Sequence, residues 1–421
     1  YLKTCGIELV GLEGPAYVNM TLDGFRTGIL STQGPRIATY AQFYNVNVGN
    51  ADIAVDLPVA YWDMGFQLAN CVLEGKSYAI RNLSGEAAKL FNCTLVGETT
   101  GTMIEDTSAD IEVAIPNTII TRPSNHKLYN VMDYCADNSG NADASVAIQQ
   151  ALDAAHDEGG GYVYLPGGVY RLDYPIMVHG NTELSGSNAF VGSDCGFSGV
   201  STAILAYYGE SNTSTDQALI TLAGNGAGIT GIRIYYPNNG ITKNGGTFDN
   251  DVDAYGYTIR GTADNVYVRN LVFYAAYYGI EMDGASNYVI KDTLGSYYKN
   301  AIHIKDSLKG IIEGVSSNNG QQGNFSAFEN RPVFENWLKT GKNSTKEDFY
   351  NYVIYGVGQA LHDFMIFDRS VNQTIVNTFA YIPRVFLTAH DSEIVGINLY
   401  GSRMGETNSL FHIDGGKLIT V

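Results

Sequence analysis

The chain has few charged residues and few cysteines for its length. Of its 421 residues 16% are charged, and its 5 cysteines include no CxxC pair. This cysteine pattern argues against a zinc knuckle or a dense disulfide framework. No apolar run reaches the roughly 18 residues of a membrane helix, and neither a GxSxG elbow nor an HExxH motif occurs. We therefore predict no membrane span, no metal and no cofactor.

The charge balance excludes another class of partner. The formal net charge is −18, from 25 Lys and Arg against 43 Asp and Glu, which opposes binding to phosphate backbones and indicates no nucleic-acid partner. The 48 Gly and 30 Tyr suit turns and pleated surfaces and favour an all-β fold. The chain opens at Tyr1 rather than Met and ends inside an apolar run, so we expect further segments of a larger chain.

Internal repeats organise both halves of the sequence. Asparagines that begin short apolar runs recur at Asn19, Asn45, Asn70 and Asn92. After Pro123 a second register places Asn265, Asn287 and Lys309 at a constant step of 22 residues. Such a step is typical of one coil of a parallel β-helix, because a single coil cannot bury its inner face and must stack on others. The equivalent Cys71 and Cys93 are interpreted as stacked buried thiols, with a bridge between coils as the alternative.

A run of about forty residues from Tyr129 to Arg171 marks the start of the second register. It contains an amphipathic segment at about 143–158 with Ile148 and Leu152 on one face, followed by Gly159-Gly-Gly. A short helix here would cover the open end of a solenoid, whose strand edges otherwise invite aggregation. We therefore predict two segments, the final coils of a first β-helix at 1–124 and a second β-helix with this capping helix at 125–421.

The same run carries a family resemblance. The order Asp-Tyr-x-Ala-Asp, Asp-x-x-x-Ala-Ile-Gln-x-Ala-Leu-Asp-Ala-Ala and Gly-Gly-Gly-x-Val-Tyr-Leu-Pro-x-Gly-x-Tyr, between Asp133 and Tyr170, resembles the N-terminal signature of the pectate-lyase-like superfamily. The resemblance implies a right-handed parallel β-helix solenoid and leaves the reaction open, since that superfamily includes lyases, hydrolases, epimerases and phage tailspikes. The tandem arrangement is similar to that of family 55 glycoside hydrolases, the exo-β-1,3-glucanases, in architecture only.

The 22-residue register predicts a charged patch on the outer face. It makes Ile259, Glu281 and His303 equivalent, and likewise Gly261, Asp283 and Lys305. Period-two alternation then gives a two-by-two patch of Glu281, Asp283, His303 and Lys305. Two carboxylates about 7 Å apart along a strand are suited to glycoside hydrolysis. We predict Glu281 and Asp283 as catalytic and His303 and Lys305 as substrate-binding; the alternative is a solvated set of charges that pair across coils.

A second candidate lies where the repeat breaks, at about 318–352. Long insertions on a solenoid cluster on its binding face. Glu329 and Glu335 are further catalytic candidates, and Phe328, Arg331 and Trp337 are candidates for sugar binding. The alternative is a small packed subdomain with the aromatic residues as its core.

These features predict a secreted or cell-surface enzyme that hydrolyses a neutral polysaccharide or oligosaccharide. Two alternatives remain open. One is a noncatalytic glycan-binding, adhesin or tailspike-like β-helix that only holds sugar. The other is a polysaccharide lyase, which would use Lys or Arg as its base.

Overall fold

The computed structural model contains strands almost throughout the part of the chain that it describes. The described residues are 4–9, 16–32, 41–58, 66–85, 87–101, 104–106, 120–187, 189, 201–209, 217–239, 254–318, 361–381, 383–402 and 409–420. They form two compact units, Tyr1–Asn117 with Val421, and Thr118–Thr420.

The part of the first unit that the structure describes is a sheet of nine strands whose neighbours pair in parallel. The strands are β1 Cys5–Leu9, β2 Ala16–Asp23, β3 Thr27–Ser31, β4 Ala41–Leu57, β5 Phe66–Ala69, β6 Val72–Asn82, β7 Ala88–Phe91, β8 Thr94–Gly101 and β9 Ile104–Asp106. Inward apolar side chains such as Phe43, Leu68 and Leu73 form its core. Cys71 and Cys93 are both free thiols, as interpreted from the sequence.

The recurring asparagines mark equivalent turns of this unit. Asn19, Asn45, Asn70 and Asn92 all have φ between 49° and 54°, the left-handed region that asparagine tolerates better than most residues. Their amides stack from coil to coil, since Asn45 Nδ2 donates to Asn19 Oδ1 at 2.7 Å and Asn92 Nδ2 donates to Asn70 Oδ1 at 2.8 Å. The repeat therefore reflects a backbone requirement of the turn.

In the second unit the described residues form 18 strands, again paired in parallel, and one α-helix. The elements are β10 Leu128–Asn130, a 3₁₀ turn Val131–Tyr134, β11 Ser139–Asp143, α1 Ser145–Asp157, β12 Gly161–Leu165, β13 Gly168–Leu172, β14 Ile176–Val178, β15 Thr182–Gly186, β16 Thr202–Ala206, β17 Ile220–Leu222, β18 Gly228–Tyr235, β19 Tyr257–Gly261, β20 Tyr267–Asp283, β21 Val289–Lys305, β22 Ile311–Glu313, β23 Ser316–Asn318, β24 Asp363–Asp368, β25 Gln373–Tyr381, β26 Val385–Ser402 and β27 Ser409–Thr420.

The helix α1 packs its apolar face on the first coil of this unit. Ile148, Leu152 and Ala155 are completely buried, and the helix contacts β12 and β14. It ends before Gly159, which has φ +87° as a helix-terminating glycine often does. The amphipathic segment at 143–158 is thus a helix as predicted.

Two glycines allow buried tyrosines to cross between coils. A Cβ on Gly228 would lie 2.0 Å from Cζ of Tyr267, and a Cβ on Gly310 would lie 1.9 Å from Cζ of Tyr288. Both tyrosine hydroxyls find buried partners, Tyr267 donating to Glu183 Oε2 at 2.6 Å and Tyr288 to Gln373 Oε1 at 2.5 Å. Buried tyrosine hydroxyls need such partners to offset their desolvation.

Candidate functional site

One face of the second unit places charged side chains of successive coils side by side. Strands β19, β20, β21, β24, β26 and β27 are neighbours in this order. The first row of equivalent positions contains Arg260, Glu281, His303, Ile366, Thr388 and His412. The second row contains Asp283, Lys305, Asp368, His390 and Asp414. We call the two rows together the charged face.

The predicted patch is present, with one error of register. Glu281 pairs with His303 and Asp283 pairs with Lys305, as expected. The prediction for the preceding coil is wrong, because Arg260 rather than Ile259 is the partner of Glu281, and Gly261 pairs with Met282. That coil is one residue shorter than the 22-residue step. The shift matters because it brings a cation next to Glu281.

Glu281 is a buried ion-pair partner. Its side chain is only 6% exposed. Oε2 accepts a hydrogen bond from Arg260 Nε, and Oε1 lies 3.3 Å from His303 Nδ1. Both carboxylate oxygens therefore face cationic or polar neighbours, which supports the charge in a buried place.

His303 lies between two carboxylates. Nε2 is 2.7 Å from Oδ2 of Asp368, and Nδ1 is 2.8 Å from the hydroxyl of Tyr257 and 3.3 Å from Glu281 Oε1. Burial lowers the pKa of His303, but the hydrogen bonds and charges of Glu281 and Asp368 outweigh burial, so the pKa is raised above 6.5. The geometry thus favours an imidazolium with both nitrogens donating.

Asp283 and Asp368 of the second row both reach solvent, as does the more exposed Asp414 on β27. Asp283 has a side chain 35% exposed, and its Oδ2 accepts from Lys305 Nζ at 3.2 Å. The Asp368 side chain is 25% exposed and contacts His303. They lie on β20 and β24, with β21 between them. At about 4.8 Å per strand their backbones are therefore about 9.5 Å apart.

The other predicted site residues belong to the insertion at about 318–352. Glu329, Glu335, Phe328, Arg331 and Trp337 all lie outside the described residues, as does almost all of the predicted insertion at about 318–352. Their roles stay predictions.

Three members of the site were not predicted: Arg260, Tyr257 and Asp368. Asp368 follows Lys305 in the row but stands 63 residues later, so a count of 22 cannot reach it. A three-residue pattern marks the equivalent positions of Lys305, Asp368 and His390 in the second row. Lys305-Asp-Ser307, Asp368-Arg-Ser370 and His390-Asp-Ser392 each end in serine, and the backbone N–H of Ser307 and Ser370 donates to Oγ of the next serine at 3.2 and 3.0 Å.

The described residues contain neither a metal-binding cluster nor a membrane-spanning helix. No group of three or more His, Cys, Asp and Glu side chains in this part of the chain is arranged to hold a metal ion. No helix in it is long and apolar enough to cross a membrane.

Comparison with known proteins agrees with the fold. Residues 128–193 match the family model described as rhamnogalacturonase A/epimerase, pectate lyase-like. This match, together with the stacked parallel strands, confirms the resemblance to the pectate-lyase-like superfamily of parallel β-helix proteins.

The similar curated proteins come from Azotobacter vinelandii. The chain is 26% identical over 226 residues to mannuronan C5-epimerase AlgE2, covering 48% of this chain and 22% of that protein. It is 34% identical over 108 residues to mannuronan C5-epimerase AlgE1, covering 23% and 8%, and 42% identical over 66 residues to alginate lyase 7, covering 14% and 8%. The chain thus spans less than a quarter of the length of these relatives.

Solved structures with a similar outline include an exopolygalacturonase from Thermotoga maritima and the phiAB6 tailspike in complex with oligosaccharides of Acinetobacter baumannii surface polysaccharide. The first has a TM-score of 0.38 and 13% identity, over 72% of this chain and 80% of that one. The second has a TM-score of 0.40 and 12% identity, over 69% and 46%. Scores this low do not relate individual site residues.

Proposed function

We propose that the protein is a secreted or cell-surface enzyme that hydrolyses a polysaccharide on the charged face. The observation that supports this most directly is the pair Asp283 and Asp368, two solvent-accessible carboxylates on alternate coils with His303 and Lys305 between them. Inverting glycosidases place their two carboxyl groups about 6.5–9.5 Å apart, and two strand spacings separate the backbones of this pair by about 9.5 Å. The relatives named above carry polysaccharide names, which agrees with the substrate class.

The two carboxylates would have different tasks. Asp283, which accepts a hydrogen bond from Lys305, would take a proton from a water molecule as the oxygen of that water attacks the anomeric carbon. Asp368 would pass a proton to the leaving glycosidic oxygen as that bond breaks, and the imidazolium of His303 would supply this proton through Nε2. In this scheme Glu281 is a positioning residue, because its buried carboxylate favours the imidazolium of His303.

The charge pairing of the face favours a neutral sugar. Arg260, Lys305 and His303 each face a carboxylate of the same face. An acidic polymer would have to displace one of these ion pairs before it could use the cation. A neutral polysaccharide needs no such exchange, and its hydroxyls can share the paired groups.

The relatives favour a second candidate, a lyase or epimerase that acts on an acidic polysaccharide. In that case the Tyr257 hydroxyl and His303, 2.8 Å apart, would exchange a proton with the sugar. Tyr257 borders the charged face, and its contact with His303 lies at the edge of that face. Both candidates therefore predict that substrate binds at the same place.

The experiment is an activity screen of the purified protein on neutral glucans, galactans and fructans and on alginate and polygalacturonate. A hydrolase releases reducing ends without the ultraviolet absorbance of an unsaturated uronate, whereas a lyase produces both. An epimerase changes the uronate composition of alginate without shortening it. Binding without any of these changes would replace the enzyme proposal with the glycan-binding alternative.

We also propose that the chain joins two tandem β-helix segments and that α1 caps the second. The complete burial of Leu152 on the first coil supports the cap. Leu152→Asp should destabilise the second unit by about 3 kcal/mol or more, since it removes apolar contacts and buries a carboxyl group. Urea unfolding measures the loss. The exposed Val146 of the same helix is the control, and a Val146→Asp variant with an equal loss would contradict the cap.

A further inference from the structure

A second cluster of polar side chains lies beside the charged face. The row of equivalent positions three residues before the first row contains Tyr257, Tyr278, Asn300, Asp363 and Val385. Tyr257 shows that this row borders the candidate site, because its hydroxyl contacts His303. The ring of Tyr278 stacks on that of Tyr257 at 4.8 Å.

Asn300 and Asp363 are buried polar residues on neighbouring strands. They are 4% and 6% exposed, and they are register partners on β21 and β24. The carboxylate Oδ2 of Asp363 accepts a hydrogen bond from Nη2 of Arg384, whose side chain is 39% exposed and connects the cluster to the surface.

Three polar atoms of this cluster lack partners. Among the residues that the structure describes, none forms a hydrogen bond with Asn300 Nδ2, Asp363 Oδ1 or Arg384 Nε, and all three atoms are buried. A buried polar atom without a partner costs free energy that a native structure rarely leaves uncompensated. The cluster therefore offers two donors and one acceptor to a ligand.

The donor and acceptor pattern matches a sugar hydroxyl. A hydroxyl group both donates and accepts, so a single one can give its proton to Asp363 and receive a hydrogen bond from Asn300 or Arg384. The half-buried ring of Tyr278 next to Asn300 provides an apolar surface of the kind on which a pyranose ring packs. Asn300 stands three residues before His303 on β21, about 10 Å along the strand, close enough for one glycan chain to span both places.

We propose that Asn300, Asp363 and Arg384 form a hydroxyl-binding subsite, with Tyr278 beside it, which holds a neutral sugar unit next to the unit at His303. This inference rests on the proposed function, since it assigns a further unit of the same substrate. The subsite lies on the side of the charged face nearer the N-terminal ends of the strands. We therefore expect the glycan chain to bind in one direction along the strands.

The test is calorimetric binding of the oligosaccharide that the activity screen identifies, on an Asp283→Asn background that prevents turnover. Asn300→Leu keeps the side-chain volume and removes the amide, and it should raise the Kd about 10-fold. Arg384→Met should raise the Kd to a similar extent. Because Arg384 is half-exposed, this variant should fold even if Asn300→Leu does not, and it then provides the test. Thr378→Val is the matched control, since its buried Oγ1 also lacks a partner among the described residues but lies on β25.

The outcomes separate the subsite from the proposed function. If Asn300→Leu and Arg384→Met both bind the oligosaccharide like the parent, the subsite is refuted while the function stands. If no polysaccharide or oligosaccharide binds the parent, both fail together. A ligand that lacks one hydroxyl should bind the parent more weakly than the complete oligosaccharide does. If the two ligands bind the Asn300→Leu protein equally well, the missing hydroxyl is the one that Asn300 contacts.

Discussion

Asp368→Asn should lower the turnover of the substrate about 10²- to 10⁴-fold, the range typical of a lost general acid. The substitution keeps the shape of the side chain and its contact with His303, but the amide cannot pass a proton from Nε2 of His303 to the leaving oxygen. The rate of reducing-end release at saturating substrate measures the effect. The affinity for substrate should change much less than the rate.

The matched control is Glu313→Gln. Glu313 forms an ion pair with Lys291 at 2.6 Å on the same coils as Asp368 and Lys305, but in the separate row of Arg269, Lys291 and Glu313. Its removal should leave turnover unchanged. Wild-type turnover in the Asp368→Asn protein, or an equal loss in Glu313→Gln, would show that the charged face is not the catalytic site.

The pH profile gives a second readout of the same proposal. The pKa of His303 is raised above 6.5 by Glu281 and Asp368, so the imidazolium predominates below that pH and is lost as pH rises through the folded pKa. Activity should fall on this alkaline side. Glu281→Gln removes one of the two carboxylates and should move the alkaline limb to lower pH; a limb that stays in place would exclude a positioning role for Glu281.

Arg122→Met should destabilise the second unit by about 2–3 kcal/mol. Glu183 is completely buried, and Arg122 donates to both of its oxygens at 2.7 and 3.1 Å. Breaking a buried pair typically costs about 3–5 kcal/mol, and we expect less because the Arg122 side chain is 47% exposed. Urea unfolding at neutral pH measures the change.

The stability that the Arg122–Glu183 pair contributes depends on pH. Burial raises the pKa of Glu183, but the hydrogen bonds from Arg122, Ser185 and Tyr267 outweigh burial, so the pKa lies below 4.5. The carboxylate therefore contributes stability above about pH 4.5, and that contribution is lost as pH falls through the folded pKa. The gap between wild type and Arg122→Met should accordingly narrow in acid.

A double variant and a surface pair complete this test. Adding Glu183→Gln to Arg122→Met removes the uncompensated charge and should restore much of the lost stability. Lys127→Met, which breaks the exposed pair with Glu158, should leave the free energy of unfolding almost unchanged. A gap that widens in acid, or a double variant no more stable than Arg122→Met alone, would contradict the role of Glu183.

Local rules account for what could be predicted. The step from Asn265 to Asn287 to Lys309 predicts the stacking of β20, β21 and β22, and the register Arg269, Lys291 and Glu313 follows from it. The same step predicts the pairs of Glu281 with His303 and Asp283 with Lys305. It fails at Arg260, because one coil has 21 residues and a shift of one residue reverses the direction of a side chain.

The sequence by itself determined the coil, the superfamily signature between Asp133 and Tyr170 and four residues of the charged face, because these depend on spacing within one or two turns of the chain. Only the tertiary structure decided that Asp368 completes the contact with His303, that Glu281 is buried against Arg260 and that Asn300 lies beside Asp363. The physical reason is the parallel stacking itself. It makes neighbours of residues about sixty positions apart, and the length of chain between them is free to vary without changing the contact.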